Sequence, residues 1–312
     1  MRSRTMEQRS LELGGGLFRP DLRRLHENLT ARIRGQPQAL SRLVEALHRR
    51  ELDAVPQRGA RDAFFFAGPT GVGKTETVLN VAELLFGPGR FQRFDSSEFE
   101  TPEATALLLG NRTGDSGRLG QAHAKCPAGI WLFDEFEKGH SHFADLFLQM
   151  TEVGRITLAN GETLDLSRIY LFATSNLGST EILGRVHLPF ASLERHVTHC
   201  VRRHLRPELL ARFGPPFVFR PLSRSIQEEI VEQKLEGFLA WQRRQGRRVT
   251  CDAGVLRLLQ RRGFSPKEGA RPLIRLIEEL CGNPICQERL AGKNGDGRLE
   301  VAPGGNSLRF AK

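Results

Sequence analysis

The sequence predicts an α/β fold in which helices cover both faces of a five-stranded parallel sheet, followed by a small helical domain. Two observations support this prediction. Short apolar runs alternate with helical stretches as far as Pro221, and such runs are typical of strands buried on both faces of a parallel sheet. From Leu222 onward the apolar residues recur instead at helical spacing. The five runs are Ala63–Ala67, Phe91–Phe94, Gly129–Phe133, Ile169–Thr174 and Phe217–Phe219.

The chain is expected to divide into three parts. Residues 1–24 contain a glycine triplet and are predicted to form a flexible extension. Residues 25–221 form the large α/β domain, which opens with two helices separated by Gly35 and Pro37 because both residue types interrupt helices. Residues 222–312 form the small helical domain.

The small domain is expected to contain three helices and one final strand. Its first helix is marked by apolar residues at intervals of four or five, namely Ile226, Ile230, Leu235 and Leu239. The final strand is predicted at Leu299–Ala302. Trp241, in the first of these helices, and Trp131, in the third apolar run, are both expected in the core.

The charge of the chain points to acidic partners. Its 46 Lys and Arg residues exceed its 36 Asp and Glu residues, giving a formal net charge of +10. Such a surface favours nucleic acid, anionic lipid or acidic protein. Because the arginines are spread along the chain, simple solvation of the surface is an equally open interpretation.

The cysteine pattern and the N-terminus predict a cytoplasmic location. The five cysteines lack the paired spacing of a disulfide framework or zinc ribbon, which favours a reducing compartment. The charged N-terminus is not followed by the apolar segment of a secretory signal. No apolar stretch is long enough to span a bilayer, so no membrane segment is expected.

A glycine-rich loop follows the first apolar run directly. Its pattern, G-x-x-x-x-G-K-T between a strand and a helix, is that of a phosphate-binding loop. The glycines let successive N–H groups face one phosphate, and the positive end of the next helix faces the same anion. Lys74 is expected to reach the β and γ phosphates of ATP, and the Thr75 hydroxyl to bind Mg²⁺. The loop consists of Gly68, Pro69, Thr70, Gly71, Val72, Gly73, Lys74 and Thr75.

Two carboxylates close the third apolar run. Asp134 and Glu135 follow four apolar residues, and the carboxyl end of a strand in an open α/β sheet faces the ligand crevice. Asp134 is expected to hold Mg²⁺, and Glu135 to orient and polarise an attacking water. Since phosphoryl transfer depends on charge neutralisation and positioning, these two roles suffice for ATP hydrolysis.

These motifs resemble the second ATPase module of the ClpB and ClpA family. GPTGVGKTE at 68–76 and WLFDEFEKGH at 131–140 carry the resemblance, which extends over about residues 25–303. Further segments match the family in the same order, namely IRGQ at 33–36, RFDSSEF at 93–99, GRIT at 154–157, TSNLGS at 174–179, RPELLAR at 206–212 and GARPL at 269–273.

The resemblance implies an AAA+ P-loop fold and a role for further residues. Asn176 would be sensor 1 and would hold the attacking water with Glu135. Arg212 would be an arginine finger that reaches the γ-phosphate bound by the neighbouring subunit. Arg271 would be sensor 2, reaching the nucleotide from the small helical lid of its own subunit.

Other implications concern the nucleotide pocket and the assembly. Ile33 and Arg34 would line the adenine pocket, and the phosphate-binding segment would extend to Glu76. A finger acting on the next subunit implies a ring, and members of the family form hexamers with ATP at the subunit interfaces. No segment resembling an adaptor-binding domain is recognised, so the adaptor stays unknown.

The sequence departs from the family at two loops. The threading loop of the family carries an aromatic residue, whereas residues 109–120 have none and form a shorter stretch. Arg112 or Arg118 could meet an acidic partner there, or the stretch is a plain flexible loop. Peptidase-binding relatives carry an apolar triplet after sensor 1, but Arg185 interrupts the nearest match, so peptidase docking is not expected.

A group of histidines admits two interpretations. His196, His199, Cys200 and His204 have near-helical spacing, which could gather metal ligands. The apolar residues of the same segment recur at intervals of four, which predicts instead an amphipathic helix with the histidines on its wetter side.

Three functions follow from these observations. The main hypothesis is an ATP-hydrolysing, ring-forming remodeller of protein complexes. The second is an ATPase that acts on nucleic acid or on a DNA-bound or secretion assembly, favoured by the net charge and the loop without aromatic residues. The third is a nucleotide-gated scaffold that hydrolyses ATP slowly.

Overall fold

The computed structural model describes residues 20–57, 59–112, 114–265, 268–292 and 296–311. Most of the predicted extension, residues 1–24, therefore lies outside the described residues. The chain divides into two compact units. The first contains the described residues up to Gly68 together with residues 73–220, and the second contains residues 69–72 together with the described residues from Pro221 onward.

The first unit alternates strands and helices. Its helices are α1 (Leu25–Arg32), α2 (Pro37–Glu51), α3 (Lys74–Phe86), α4 (Pro102–Leu109), α5 (Gly117–Lys125), α6 (Ser141–Val153), α7 (Ser179–Gly184), α8 (Phe190–His204) and α9 (Pro207–Phe213). Its strands are β1 (Asp62–Ala67), β2 (Phe91–Asp95), β3 (Gly129–Asp134), β4 (Arg155–Thr157), β5 (Thr163–Asp165), β6 (Ile169–Ser175) and β7 (Phe217–Val218). Short 3-10 turns lie at Leu22–Arg24, Ser96–Phe99 and Phe136–Lys138.

Five of these strands form one parallel sheet in the order β2-β3-β6-β1-β7. Every residue of β3 and β6 is buried, as expected for central strands covered by helices on both faces. The predicted fold class, a five-stranded parallel sheet between helices, is confirmed. Strands β4 and β5, which the apolar runs did not predict, form a separate antiparallel hairpin.

Aromatic side chains hold the sheet against α6 and α9. Phe133 stacks on Phe94 with ring centroids 4.9 Å apart and meets Phe147 edge-on at 5.4 Å. Phe136 contacts Phe147 at 5.0 Å and Phe213 at 5.6 Å. Burying each such ring contributes roughly 1.5–3 kcal/mol. The acidic end of β3 is therefore held in the core by a buried ring before it, Phe133, and a buried ring after it, Phe136.

Helix α8 settles the two interpretations of the histidine group. Leu193, Val197 and Val201 are fully buried at intervals of four, which confirms the amphipathic helix. Among the described residues, no group of three or more His, Cys, Asp or Glu side chains could hold a metal ion. The structure therefore supports the amphipathic interpretation of this segment.

The second unit combines helices with a small sheet. Its helices are α10 (Arg224–Arg244), α11 (Ala253–Arg262), α12 (Arg271–Ile277) and α13 (Asn283–Leu290), with a π-helical turn at Glu278–Gly282. Strands β8 (Val249–Cys251), β9 (Gly297–Val301) and β10 (Leu308–Ala311) form a sheet in the order β10-β9-β8. Only a strand close to β9 was predicted, because the other two are short and partly polar.

Trp241 is not in the core, contrary to expectation. Helix α10 buries Val231 and Leu235 four residues apart, and Trp241 lies off that stripe with 46% of its surface exposed. The guanidinium of Arg247 lies 5.9 Å from its ring centroid. Trp131, by contrast, is fully buried in β3, as predicted. In the part of the chain that the structure describes, no helix has the length and apolarity to cross a membrane.

Candidate functional site

The phosphate loop adopts a backbone that glycine permits. Gly73 precedes α3 with φ +103°, in the left-handed range that residues with a Cβ rarely adopt. At Gly68, φ is +151° and a Cβ would lie only 2.5 Å from the carbonyl oxygen of Phe219. The two positions therefore need glycine for their backbone conformation and, at Gly68, for close approach to a neighbouring strand end.

The crown of the loop, residues 69–72, belongs to the second unit. There the Gly71 carbonyl accepts a hydrogen bond of 3.1 Å from the N–H of Ala270, the residue before Arg271. Arg271 itself begins α12 and is exposed. Thr75 and Glu76, back in the first unit, lie half-buried in the first turn of α3.

Lys74 is buried although it carries a charge. Only 8% of its surface is exposed. Its ammonium donates to the carbonyl oxygen of Gly68 and, at 3.1 Å, to Oδ1 of Asn176. Because a buried ammonium is costly unless its protons are bound, these acceptors hold the side chain at the strand ends.

Asp134 ends β3 as a buried carboxylate with a partner on each side. The Thr174 hydroxyl, on the neighbouring strand β6, donates to its Oδ1. Nη2 of Arg93, on the other neighbouring strand β2, lies 2.6 Å from its Oδ2. The pairing follows from the parallel register, which sets Asp95 beside Asp134 and Phe133 beside Ala173.

Glu135 has a strained backbone. Its φ of +55° and ψ of +47° are left-handed, a conformation that costs a residue with a Cβ roughly 1–2 kcal/mol. Its Oε1 lies 3.4 Å from Nδ2 of Asn176, and its Oε2 pairs with the ammonium of Lys138. The hydrogen bond between Lys138 and Glu135, together with the negative charge of Glu135, raises the pKa of Lys138 above its ordinary value. Strain of this kind is often found at functional sites.

Asn176, directly after β6, connects Lys74 of the phosphate loop with Glu135 at the acidic end of β3. Its side chain accepts from Lys74 and donates to Glu135, while its main-chain N–H donates to Oε1 of Glu137 at 2.9 Å. The structure therefore brings together the predicted residues Lys74, Glu135 and Asn176.

Sequence reasoning missed the residues that support this cluster. Glu137 and Lys138 stand within a quoted motif, as does Arg93, but no role was assigned to them. The available signal was the run of charges directly after the acidic strand end. The partners of Glu137 and Arg93, however, lie about forty residues away in sequence and could not be inferred from spacing.

A second carboxylate lies beside the cluster at the end of β2. Asp95 accepts hydrogen bonds from the hydroxyl and the N–H of Ser97, at 2.7 Å and 3.1 Å. The hydroxyl bond lowers the pKa of Asp95, and the positive charges of Arg93 and Lys138 act in the same direction. Two cations thus stand close to the acidic edge of the sheet.

The predicted adenine-pocket segment lies against the phosphate loop. Ile33, the residue directly after α1, is buried, and its Cγ2 lies 3.8 Å from where a Cβ on Gly73 would lie. Arg34 is half-buried. The side chain of Gln36 makes two hydrogen bonds of 2.9 Å to the main-chain N–H and carbonyl of Arg220. Gln36 therefore anchors the end of the first unit, a role that the sequence did not indicate.

Arg212 does not join the cluster in this subunit. It lies on α9 and forms an exposed ion pair with Glu152 of α6. In the loop without aromatic residues, Arg118 pairs with Glu98, and its guanidinium lies 5.6 Å from the ring centroid of Phe99. Arg112 of the same loop is exposed.

Two protein-family models match this chain. The model described as AAA domain (Cdc48 subfamily) matches residues 61–215, and the model described as the C-terminal, D2-small domain of ClpB protein matches residues 222–300. The chain belongs to the AAA+ ATPases of the Clp/ClpB family. This confirms the resemblance of the motifs, and membership of the AAA+ family implies that this Clp-type module binds nucleotide.

Individual relatives agree with this membership. The chain is 34% identical over 303 residues to the chaperone protein ClpB of Meiothermus ruber, covering 94% of the chain and 35% of the relative. It is 32% identical over 303 residues to heat shock protein 100 of Trypanosoma brucei brucei, with the same coverage. This Clp-type module thus spans about a third of the length of the curated relatives that it matches.

A solved structure shows the same fold. A cryo-EM reconstruction of Hsp104 in a closed state, with ATPγS and FITC-casein, superposes with a TM-score of 0.79. It is 28% identical in sequence, and the match covers 93% of this chain and 51% of that one. The similarity therefore extends over almost all of the Clp-type module.

Proposed function

We propose that this chain hydrolyses ATP at the cluster formed by the phosphate loop, the acidic end of β3 and the end of β6. The observation that supports the proposal is the position of Asn176, whose side chain contacts both Lys74 and Glu135. In an open α/β sheet, ligands bind outside the carboxyl ends of the strands. Asn176 there joins the phosphate-binding lysine to the carboxylate that would activate water.

The chain offers a binding group for each part of the nucleotide. Main-chain N–H groups of the loop and the positive end of α3 suit the phosphates, and Lys74 supplies a fixed positive charge. Ile33 and Arg34 are proposed to line the adenine pocket. Arg271 is proposed to contact the nucleotide from the lid.

The donor set also suits Mg²⁺, a hard cation that prefers oxygen ligands. The Thr75 hydroxyl and the Asp134 carboxylate are the proposed ligands. Asp134 is 4% exposed, and a buried carboxylate of this kind requires a positive charge beside it, which Arg93 supplies in this structure. When bound with ATP, Mg²⁺ would neutralise charge that develops on the phosphate oxygens.

Glu135 is proposed to orient and polarise the attacking water. Lys138 holds one oxygen of this carboxylate and Asn176 lies at the other, so its direction is set from two sides. Glu137 acts as a positioning residue because it binds the main-chain N–H of Asn176. A general base placed in this way typically contributes about 10²- to 10⁴-fold to a rate.

Arg212 is proposed to act on the nucleotide of a neighbouring subunit. Its guanidinium is exposed and pairs with an exposed carboxylate, that of Glu152, so it can exchange partners at low cost. Such a finger requires a ring, and a homo-hexamer is the proposed assembly.

The work done by hydrolysis is proposed to be remodelling or unfolding of protein complexes in the cytoplasm. The relatives are named as chaperone and heat shock proteins, and the Hsp104 reconstruction contains casein. These names favour a protein substrate over the nucleic-acid and scaffold hypotheses. The loop at 109–120 has no aromatic residue, so any grip on a polypeptide would depend on other side chains.

The substrate class is tested by measuring Mg-ATP hydrolysis with and without unfolded casein. Stimulation of the basal rate by casein is the expected result. A measurable basal rate that casein leaves unchanged, but that single-stranded DNA increases, would contradict the proposed protein substrate.

The action of Arg212 between subunits is tested by mixing two inactive variants, Arg212→Ala and Glu135→Gln. Each variant lacks a different half of the site, so mixed rings should recover part of the activity. A matched mixture of Glu135→Gln with the double variant Arg212→Ala/Glu135→Gln should recover none. Failure of the first mixture to exceed the second would contradict a finger in trans.

A further inference from the structure

A second concave site lies on the first unit between α7 and α8. It is a depression of about 510 Å³ that is open to solvent, and it shares no residue with the phosphate loop or with Glu135 and Asn176. Positively charged and imidazole side chains dominate its lining, among them Arg185, Arg195, Arg203, His196 and His199. The site is therefore a basic pocket, and nothing in the proposed ATPase chemistry uses it.

The arginines of the basic pocket are not neutralised by the protein. In the part of the chain that the structure describes, neither Arg185 nor Arg203 forms an ion pair, and Arg195 donates only to the neutral hydroxyl of Ser192 at 3.1 Å. Glu194, the acidic residue of α8 that is nearest in sequence, forms an ion pair with Arg42 of α2. The positive charge of the pocket is therefore available to a ligand.

The single carboxylate in the lining does not cancel this charge. Glu181, on α7, is the one carboxylate among the described residues that line the pocket. One acid then stands against three arginines.

The histidines add polar groups with a defined direction. Nδ1 of His196 lies 2.7 Å from the carbonyl oxygen of Ser192, and Nδ1 of His204 lies 2.8 Å from that of Cys200. Since a carbonyl can only accept, each Nδ1 carries the proton and donates it. In the neutral form of each ring, Nε2 is then the nitrogen that can accept a hydrogen bond.

Two exposed apolar residues lie close to Arg185 in the chain. Leu183 and Val186, on either side of Arg185 in the chain, are 47% and 49% exposed. Arginine beside exposed apolar residues is typical of protein–protein interfaces. Single-stranded nucleic acid is bound instead by aromatic rings on which bases stack, and none of the described residues that line the pocket is Phe, Tyr or Trp.

We propose that the basic pocket between α7 and α8 binds an acidic segment of a partner protein, in which carboxylates alternate with apolar residues. The carboxylates would pair with Arg185, Arg195 and Arg203, and the apolar residues would contact Leu183 and Val186. The formal net charge of +10 would speed association with such a partner. This binding does not depend on ATP hydrolysis.

The test uses a fluorescein-labelled peptide of alternating glutamate and leucine, with binding to the full chain followed by fluorescence anisotropy at low salt. The double variant Arg195→Glu/Arg203→Glu should bind it at least about tenfold more weakly. Arg202→Glu is the control for a single charge reversal on the same helix, since Arg202 is exposed but is not among the residues that line the pocket. The control should stay within about threefold of the unaltered chain.

Two outcomes would overturn the proposal. One is equal affinity of the peptide for the double variant and the control. The other is tighter binding of an oligothymidylate that depends on the same arginines, which would assign the pocket to nucleic acid. Circular dichroism and basal ATP hydrolysis verify folding, and Arg185→Glu repeats the test from the other wall of the pocket if the double variant is unfolded.

Discussion

Replacing Glu137 with alanine tests whether the support of Asn176 matters for hydrolysis. The change removes the carboxylate that accepts the main-chain N–H of Asn176 at 2.9 Å. A hydrogen bond to a charged group contributes about 1.5–3 kcal/mol. If that energy positions Asn176 in the transition state, the hydrolysis rate at saturating Mg-ATP falls about 10- to 150-fold, because about 1.4 kcal/mol corresponds to a factor of ten.

Stability should change less than activity. The other oxygen of Glu137, Oε2, is buried and has no hydrogen-bond partner within the described part of the chain. Removing an unsatisfied carboxylate oxygen recovers part of the free energy that loss of the Asn176 hydrogen bond costs. The free energy of unfolding is therefore expected to fall by less than about 1.5 kcal/mol, and the affinity for nucleotide should stay nearly unchanged.

The assay is single-turnover hydrolysis, with nucleotide binding measured separately by a fluorescent analogue. Glu137→Gln is the control, because its amide oxygen can still accept from Asn176, and it should stay within about fivefold of the unaltered rate. Adding Glu137→Ala to Asn176→Ala should have little further effect, since the residue acts through Asn176. A Glu137→Ala rate within twofold of the unaltered chain, or full additivity of the two changes, would refute the reasoning.

Three further predictions follow from contacts elsewhere in the two units. Gln36→Ala should lower the free energy of unfolding, measured in urea, by about 2–4 kcal/mol, because it leaves two main-chain groups of Arg220 without partners. As a control, replacing the exposed Gln38 with alanine should change it by less than about 0.5 kcal/mol. Equal effects of the two changes would contradict the proposed anchor. Iodoacetamide at pH 8 should label the exposed Cys286 but not Cys281, since burial raises the pKa of that thiol to about 12; mass spectrometry showing equal labelling would disprove this. Arg212→Ala should reduce the rate of ATP hydrolysis by about 10³-fold. The melting temperature of the variant should stay unchanged, because an exposed ion pair contributes at most about 1 kcal/mol. A large loss of stability would instead indicate a structural role for Arg212.

The central strands could be predicted because of where they lie. Residues buried on both faces must be apolar throughout, so β3 and β6 stand out as continuous runs. The phosphate loop was equally recognisable, since its backbone requires glycine at fixed positions. Both features follow from local constraints that act within a few residues.

Features that depend on contacts between distant segments could not be predicted. The pair of Arg93 with Asp134 requires knowing that β2 and β3 are neighbours in register. Strand β8 has only three residues, and one of them has a buried side chain. It is therefore too short to show the alternation of apolar and polar residues that indicates a strand. The prediction for Trp241 was wrong because packing partners from other segments of the chain decide which face of α10 is buried.

The most direct test is Mg-ATP hydrolysis by the unaltered chain and by Glu135→Gln, together with nucleotide binding by both. The unaltered chain should hydrolyse ATP, and the variant should bind nucleotide with similar affinity but turn it over about 10²- to 10⁴-fold more slowly. A variant that hydrolyses ATP at the unaltered rate would contradict the assignment of Glu135 and, with it, the proposed catalytic cluster.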